Sequence, residues 1–150
     1  MDLTTLLHVS SRFVHVLTAI VLLGGSVYIR FVLMPAAREL PEAEHNSLRE
    51  RLLARWKRVV MIGIALLLVT GFYNYLMVAI PAHKGVPKYH MLMGIKILLS
   101  LGVFFLGSVL TGRAKAFEPL RQKAATWLLV LILFAIGVVG IASTLKVAFP

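Results

Sequence analysis

The chain has no cysteine in its 150 residues. That absence removes disulfides, thiolate metal sites, iron–sulfur clusters and covalent c-type haem attachment at once. Any metal must therefore be held by His, Met, Lys, Tyr or carboxylates. Charge is also scarce: 15% of residues are Asp, Glu, Lys or Arg while 59% are hydrophobic, which lies outside the range of soluble globular domains. What charge there is has one dominant sign, with 16 Lys and Arg against 6 Asp and Glu and a formal net charge of +10. In a soluble protein such an excess would suggest nucleic acid. Here the cations lie beside apolar runs, where they set topology and meet anionic lipid head groups, so membrane lipid is the expected partner and nucleic acid is not. No cleaved signal peptide is expected, because the first basic residue is Arg12 and the apolar run after it is too long for an h-region.

Four apolar stretches, approximately 13–34, 59–79, 91–111 and 125–147, are each long enough to cross a hydrocarbon core, which takes about 20 helical residues. They are continuous rather than alternating, which excludes a β-barrel. The expected fold is all-α, a single four-helix integral membrane bundle over residues 1–150 with up-down-up-down connectivity. Arg38, Arg49, Arg51, Arg55, Lys57 and Arg58 lie between the first two stretches, and Arg113, Lys115, Arg121 and Lys123 between the last two. The middle connection has only Lys84 and Lys88. This asymmetry places the first and third connections in the cytoplasm and both termini on the extracytoplasmic side, in what is expected to be a bacterial cytoplasmic (inner) membrane. Pro41 suits a helix start, and Leu48, Leu52 and Trp56 repeat every four residues, so the first connection is expected to extend the second helix. The segment 80–88 contains Pro81, Gly85 and Pro87 and reads as an irregular cap over the outer end.

With its outer portion counted, the first transmembrane stretch runs from about Leu3 to Met34 and carries His8, Arg12 and His15, whose offsets of four and seven return them to one helical face. Ionisable groups in a span usually mark a site, since an unpaired one costs roughly 2.5–3.5 kcal/mol on insertion scales. Histidine narrows the chemistry to metal, haem or protons. With alternating helix directions, Tyr73, Asn74 and Tyr75, His90 and Lys96, and Ser143, Thr144 and Lys146 fall at similar depth in the outer half, above an aliphatic interior. His8 and His15 are about 10 Å apart along the helix and cannot clasp one haem between them. Each needs a partner from another helix, and His90, Met91 or Met93 are of the right type, imidazole and thioether being the usual axial ligands of b-type haem. Lys96 could pair with a propionate or act as a base.

The run from His15 to the paired Gly24 and Gly25, followed by Tyr28 and Arg30, resembles the first helix of CopD-like membrane proteins and of their relatives, the HemJ-type protoporphyrinogen oxidases. The likeness extends through a basic first connection, Trp56-Lys57-Arg58, Gly71-Phe72, Lys96-Ile97-Leu98-Leu99 and a second basic connection. Resemblance to the HemJ type implies b-type haem and oxidation of protoporphyrinogen, with His15 and Lys96 matching that family's histidine and lysine. Gly94 stands where that family tends to have histidine, and the paired glycines lean toward the CopD-like branch, whose name implies copper passage or binding.

The expected function is that of a haem b-binding membrane redox protein. His15 is the leading ligand, with His8 and His90 next and Met93 beside them, and Lys96, Arg12 and Asn74 orient propionates or a substrate. The substrate would be a membrane quinone or a porphyrinogen. One alternative is a copper-binding or copper-transport protein using His90, Met91 and Met93. Another is a structural or assembly subunit of a larger membrane complex, packed through its glycines. A homodimer is compatible with either.

Overall fold

The computed structural model describes residues 2–150, which are helical with no strand among them. Four helices are long and apolar enough to cross a membrane: α1 (Leu3–Ala37), α2 (Glu42–Ala82), α3 (Pro87–Thr111) and α4 (Ala124–Ala148). The shortest has 25 residues, about 37 Å of helix, which exceeds a hydrocarbon core of roughly 30 Å.

Local chemistry explains where the helices start. Helix α1 begins at Leu3, as the stretch from about Leu3 to Met34 predicts, and the Asp2 carboxylate accepts the Thr5 N–H at 3.0 Å and caps its first turn. Helix α2 starts just after Pro41, with Glu42 and Glu44 in the first turn, where the helix dipole favours negative charge. The connection between α2 and α3 is much tighter than an irregular cap over 80–88. Pro81 sits at the start of a last helical turn and Pro87 at the first position of α3, both places where a missing N–H is tolerated. Only residues 83–86 lie between the two helices, and Gly85 there has φ +78°, a conformation suited to glycine.

Two stretches widen into π-helix, Ile29–Leu33 in α1 and Asn74–Ala79 in α2. Each ends two residues before a proline, Pro35 and Pro81. A proline cannot donate to the carbonyl four residues earlier and crowds it. The wider register is a known way of absorbing such a defect without breaking the helix.

Helices α1 and α2 touch along a seam whose pairs run in opposite order on the two chains. His8 meets Tyr73, His15 meets Thr70 and Gly71, Leu22 meets Gly63 and Gly25 meets Trp56. The closest approach is at Gly25, where an added Cβ would run into the Trp56 indole and force it to shift. Helices α3 and α4 pair in the same opposed fashion, from Tyr89 with Phe149 through Leu99 with Gly137 to Gly102 with Phe134.

The core is split between the two ends of this arrangement. Toward the basic connections, Leu106, Leu128, Leu131 and Ile132 are buried against Leu23, Ile29 and Met34. At the other end, Ala79, Tyr89 and Leu145 are buried against Tyr75, Met93 and Phe149. Long apolar side chains such as Leu98, at 74% exposure, and Val69, at 70%, face outward. That distribution suits a lipid solvent and would be costly in water.

Candidate functional site

His15 projects from α1 against α2, where its Nδ1 lies 2.8 Å from the Thr70 hydroxyl oxygen. Thr70 is buried, and its hydroxyl donates to the Leu66 carbonyl at 2.6 Å. A threonine hydroxyl has one proton to give, so the bond with His15 must run the other way, with the Nδ1–H donating to Thr70 Oγ1. This fixes the tautomer and leaves the lone pair on Nε2. The ring also rests on Gly71, where an added Cβ would come within 3.2 Å of its Cε1. An imidazole with one nitrogen tied to the protein and the other free is the arrangement found in metal-ligating histidines.

Two cations share this region. These are Lys96, half-buried on α3 and within electrostatic reach of His15, and Arg12, exposed one turn before His15 on α1. Arg12 stands about 14 Å of helix beyond the start of α1. No Asp or Glu occurs between Leu3 and Ala37, and Glu118 is the last acidic residue in the chain and the first after Glu50. Arg12 and Lys96 thus have no carboxylate in the four apolar stretches to neutralise them. Beside them, the Ser11 hydroxyl is buried and makes no hydrogen bond among the described residues.

The other candidate residues are placed differently. His8 is half-buried, its ring edge toward Tyr73 at 5.8 Å. Asn74 is half-buried at the start of the π stretch of α2, next to Tyr73. His90 donates from Nε2 to the His83 carbonyl at 3.1 Å, leaving only Nδ1 as a possible donor to metal. His83 is stacked on Tyr89 at 3.7 Å, and its two nitrogens face the carbonyl oxygens of Ala79 and Phe149. These contacts make a cap that ties the 83–86 turn to the end of α4. Met93 packs into the cluster around Tyr89, whereas Met91 is 60% exposed. Ser143 and Thr144 donate to carbonyls of their own helix and face outward with Lys146, so α4 does not bring them to the polar layer expected there.

Thr70 and Ser11 are the two polar groups that the sequence reading did not single out. A lone hydroxyl in an apolar run gives little signal, although Thr70 directly precedes Gly71, and Ser11 is four residues from His15.

Haem is the cofactor that the family resemblance implies, and this donor set fits it on one side. His15 offers an oriented Nε2 lone pair, Arg12 and Lys96 offer two positive charges that form no salt bridge among the described residues, and Ser11 offers a buried hydroxyl with no hydrogen bond among them. Among the described residues no group of three or more His, Asp and Glu is placed to hold a metal ion by protein ligands alone. Comparison of the chain with protein-family models, with curated proteins and with solved structures finds no match.

Proposed function

We propose that this chain is a haem b-binding integral membrane redox protein with His15 as an axial ligand. The reading rests above all on one observation, the His15–Thr70–Leu66 hydrogen-bond relay in a region whose two cations, Arg12 and Lys96, form no salt bridge among the described residues. The relay holds the ring in one tautomer and raises its basicity as a ligand. Arg12 and Lys96 receive the two carboxylates of the porphyrin, which restores local neutrality in a medium where unpaired charge is expensive. His8 and His90 remain the candidates for the second axial position, with Met93 beside them.

The chemistry supplied by a bound haem is one-electron transfer. Around it, this chain's own residues would orient the cofactor or a substrate through Arg12, Lys96 and Asn74 and exclude water through the aromatic cap of Tyr89, His83 and Phe149. The reaction class is electron transfer to a membrane quinone, of which porphyrinogen oxidation is one specific form. We place the helices up-down-up-down in a cytoplasmic membrane. The opposed order of contacts along α1 and α2 and along α3 and α4 supports that connectivity. The basic residues between α1 and α2 and between α3 and α4 favour a cytoplasmic location for those connections and an outward one for both termini.

Titrating the purified apoprotein with haem and with haem dimethyl ester tests the assignment of the two cations. The free acid is expected to bind at least tenfold more tightly than the ester, and the Arg12→Gln/Lys96→Gln double variant should abolish that difference. Equal affinity for the two porphyrins in the unaltered protein would overturn the role of both residues. Elemental analysis should find iron; copper lost on His90→Ala and Met93→Ala would replace haem with the copper reading.

A further inference from the structure

At the end of the molecule far from His15, α2 and the end of α3 enclose a groove of about 930 Å³. Its α2 wall is a single stripe, Leu53, Ala54, Lys57, Met61 and their neighbours, spaced three and four residues apart as one helical face requires. The opposite wall is short, formed by Thr111, Gly112 and Arg113.

The end of α3 is shaped to keep that wall low and to hold the backbone beside its cation. Gly112 leaves the helix in an extended conformation, and a Cβ there would lie 2.8 Å from the Ser108 carbonyl oxygen, a backbone atom that cannot move aside. Thr111 is buried, with its hydroxyl donating to the Gly107 carbonyl. Beyond Arg113, buried Arg121 donates to the Ala114 carbonyl at 2.6 Å and to Glu118 at 2.7 Å, which pins the chain next to Arg113.

The lining is graded along its length. Lys57, Arg58 and Arg113 supply three positive charges against one carboxylate, Glu50. One turn further along α2 the lining is Met61 and Ile62, exposed at 47% and 61% with no charge among them. Cations over an open apolar strip complement a molecule with an anionic head and a hydrocarbon tail. A free phosphate would leave the apolar half of the groove without a partner, and an apolar ligand would leave the cations without one.

We propose that this groove is a binding site for a single anionic phospholipid, its phosphate held by Lys57, Arg58 and Arg113 and one acyl chain lying along Met61 and Ile62. Basic pockets between membrane helices are suited to anionic lipid heads, and each basic residue at the surface contributes a factor of roughly five in binding. The site is independent of His15 and of any cofactor there.

The test uses the full-length protein in phosphatidylcholine nanodiscs containing a small fraction of spin-labelled phosphatidylglycerol or, in parallel, spin-labelled phosphatidylcholine. A motionally restricted lipid fraction is expected to favour phosphatidylglycerol. Lys57→Gln/Arg58→Gln/Arg113→Gln should lower that preference at least thirtyfold, whereas Arg49→Gln/Arg51→Gln/Arg55→Gln, which removes the same charge beside the groove, should lower it less than threefold. Ala54→Trp, which fills the groove and leaves its charge intact, should also abolish the restricted fraction. Equal loss in the two charge-removal variants would reduce the effect to general surface attraction and overturn the proposal. Displacement of the lipid by millimolar inorganic phosphate would overturn it too, in favour of a free-anion site. Circular dichroism confirms that each variant is folded before its lipid preference is read.

Discussion

The two ends of the bundle are held together by different physics. At the end with the basic connections, aliphatic side chains pack together, α1 meets α2 where glycine admits the Trp56 indole, and the Arg30 guanidinium of α1 donates to the Ala125 carbonyl of α4 at 2.8 Å. At the other end, contact between α1 and α2 passes through a hydrogen-bonded imidazole, and α4 is tied down by a histidine and aromatic rings. In lipid, apolar burial provides little net drive for helix association, so close packing and interhelical hydrogen bonds must supply it. The first end uses close packing, with one arginine–carbonyl bond between α1 and α4. The second uses polar contacts, which leave room for a lone pair and two charges that an aliphatic core would not tolerate.

The comparison can be broken at either end. The largest expected effect is at His15: His15→Ala should abolish haem binding while leaving helical content unchanged by circular dichroism, and retention of the haem absorbance would remove His15 from the site. Next comes Gly25→Leu, which drives a side chain into Trp56 and should destabilise the detergent-solubilised protein by about 1–3 kcal/mol, read as a lowered unfolding temperature. Gly24→Leu, where an added Cβ meets nothing within 4 Å, should leave that temperature unchanged. A similar loss in both variants would mean that leucine at this depth is harmful regardless of Trp56.

A smaller effect is expected from Thr70→Val. It keeps the shape but removes the acceptor of the His15 Nδ1–H, so haem affinity should fall about tenfold. Equal affinity would show that the relay is only a packing contact. The smallest concerns Asp2, which is fully exposed and whose carboxyl is held below its ordinary 3.8 chiefly by the hydrogen bond with Thr5. Since the folded state holds the ionised form, this cap is complete above the ordinary carboxylate value and is lost as pH falls through the lower folded one. Hydrogen exchange at the Thr5 amide should therefore quicken at low pH in the native protein and be pH-insensitive, beyond intrinsic rates, in Asp2→Asn.

The existence of four long apolar helices was legible in the sequence because continuous hydrophobic runs of span length have few other solutions. Their limits were less so. The start of α1 near Leu3 was read correctly, but the register changes at Ile29–Leu33 and Asn74–Ala79 come from prolines inside otherwise uniform runs and were not. The residues of the proposed site drew attention in the sequence where charge stood out, at His15, Arg12 and Lys96. Thr70 was not, since a single hydroxyl looks like packing until the helix opposite is known. Ser143 and Thr144 misled for the complementary reason: α4 is apolar nearly all round, so its sequence does not tell which face meets protein and which meets lipid.

The central claim is that His15 is anchored to a prosthetic group rather than to protein alone. An absorbance spectrum of the purified, haem-supplied protein, oxidised and then reduced with dithionite, tests it most directly. A Soret band that shifts on reduction and disappears in His15→Ala is the expected result; a spectrum with no Soret contribution above that of free haem would contradict the account.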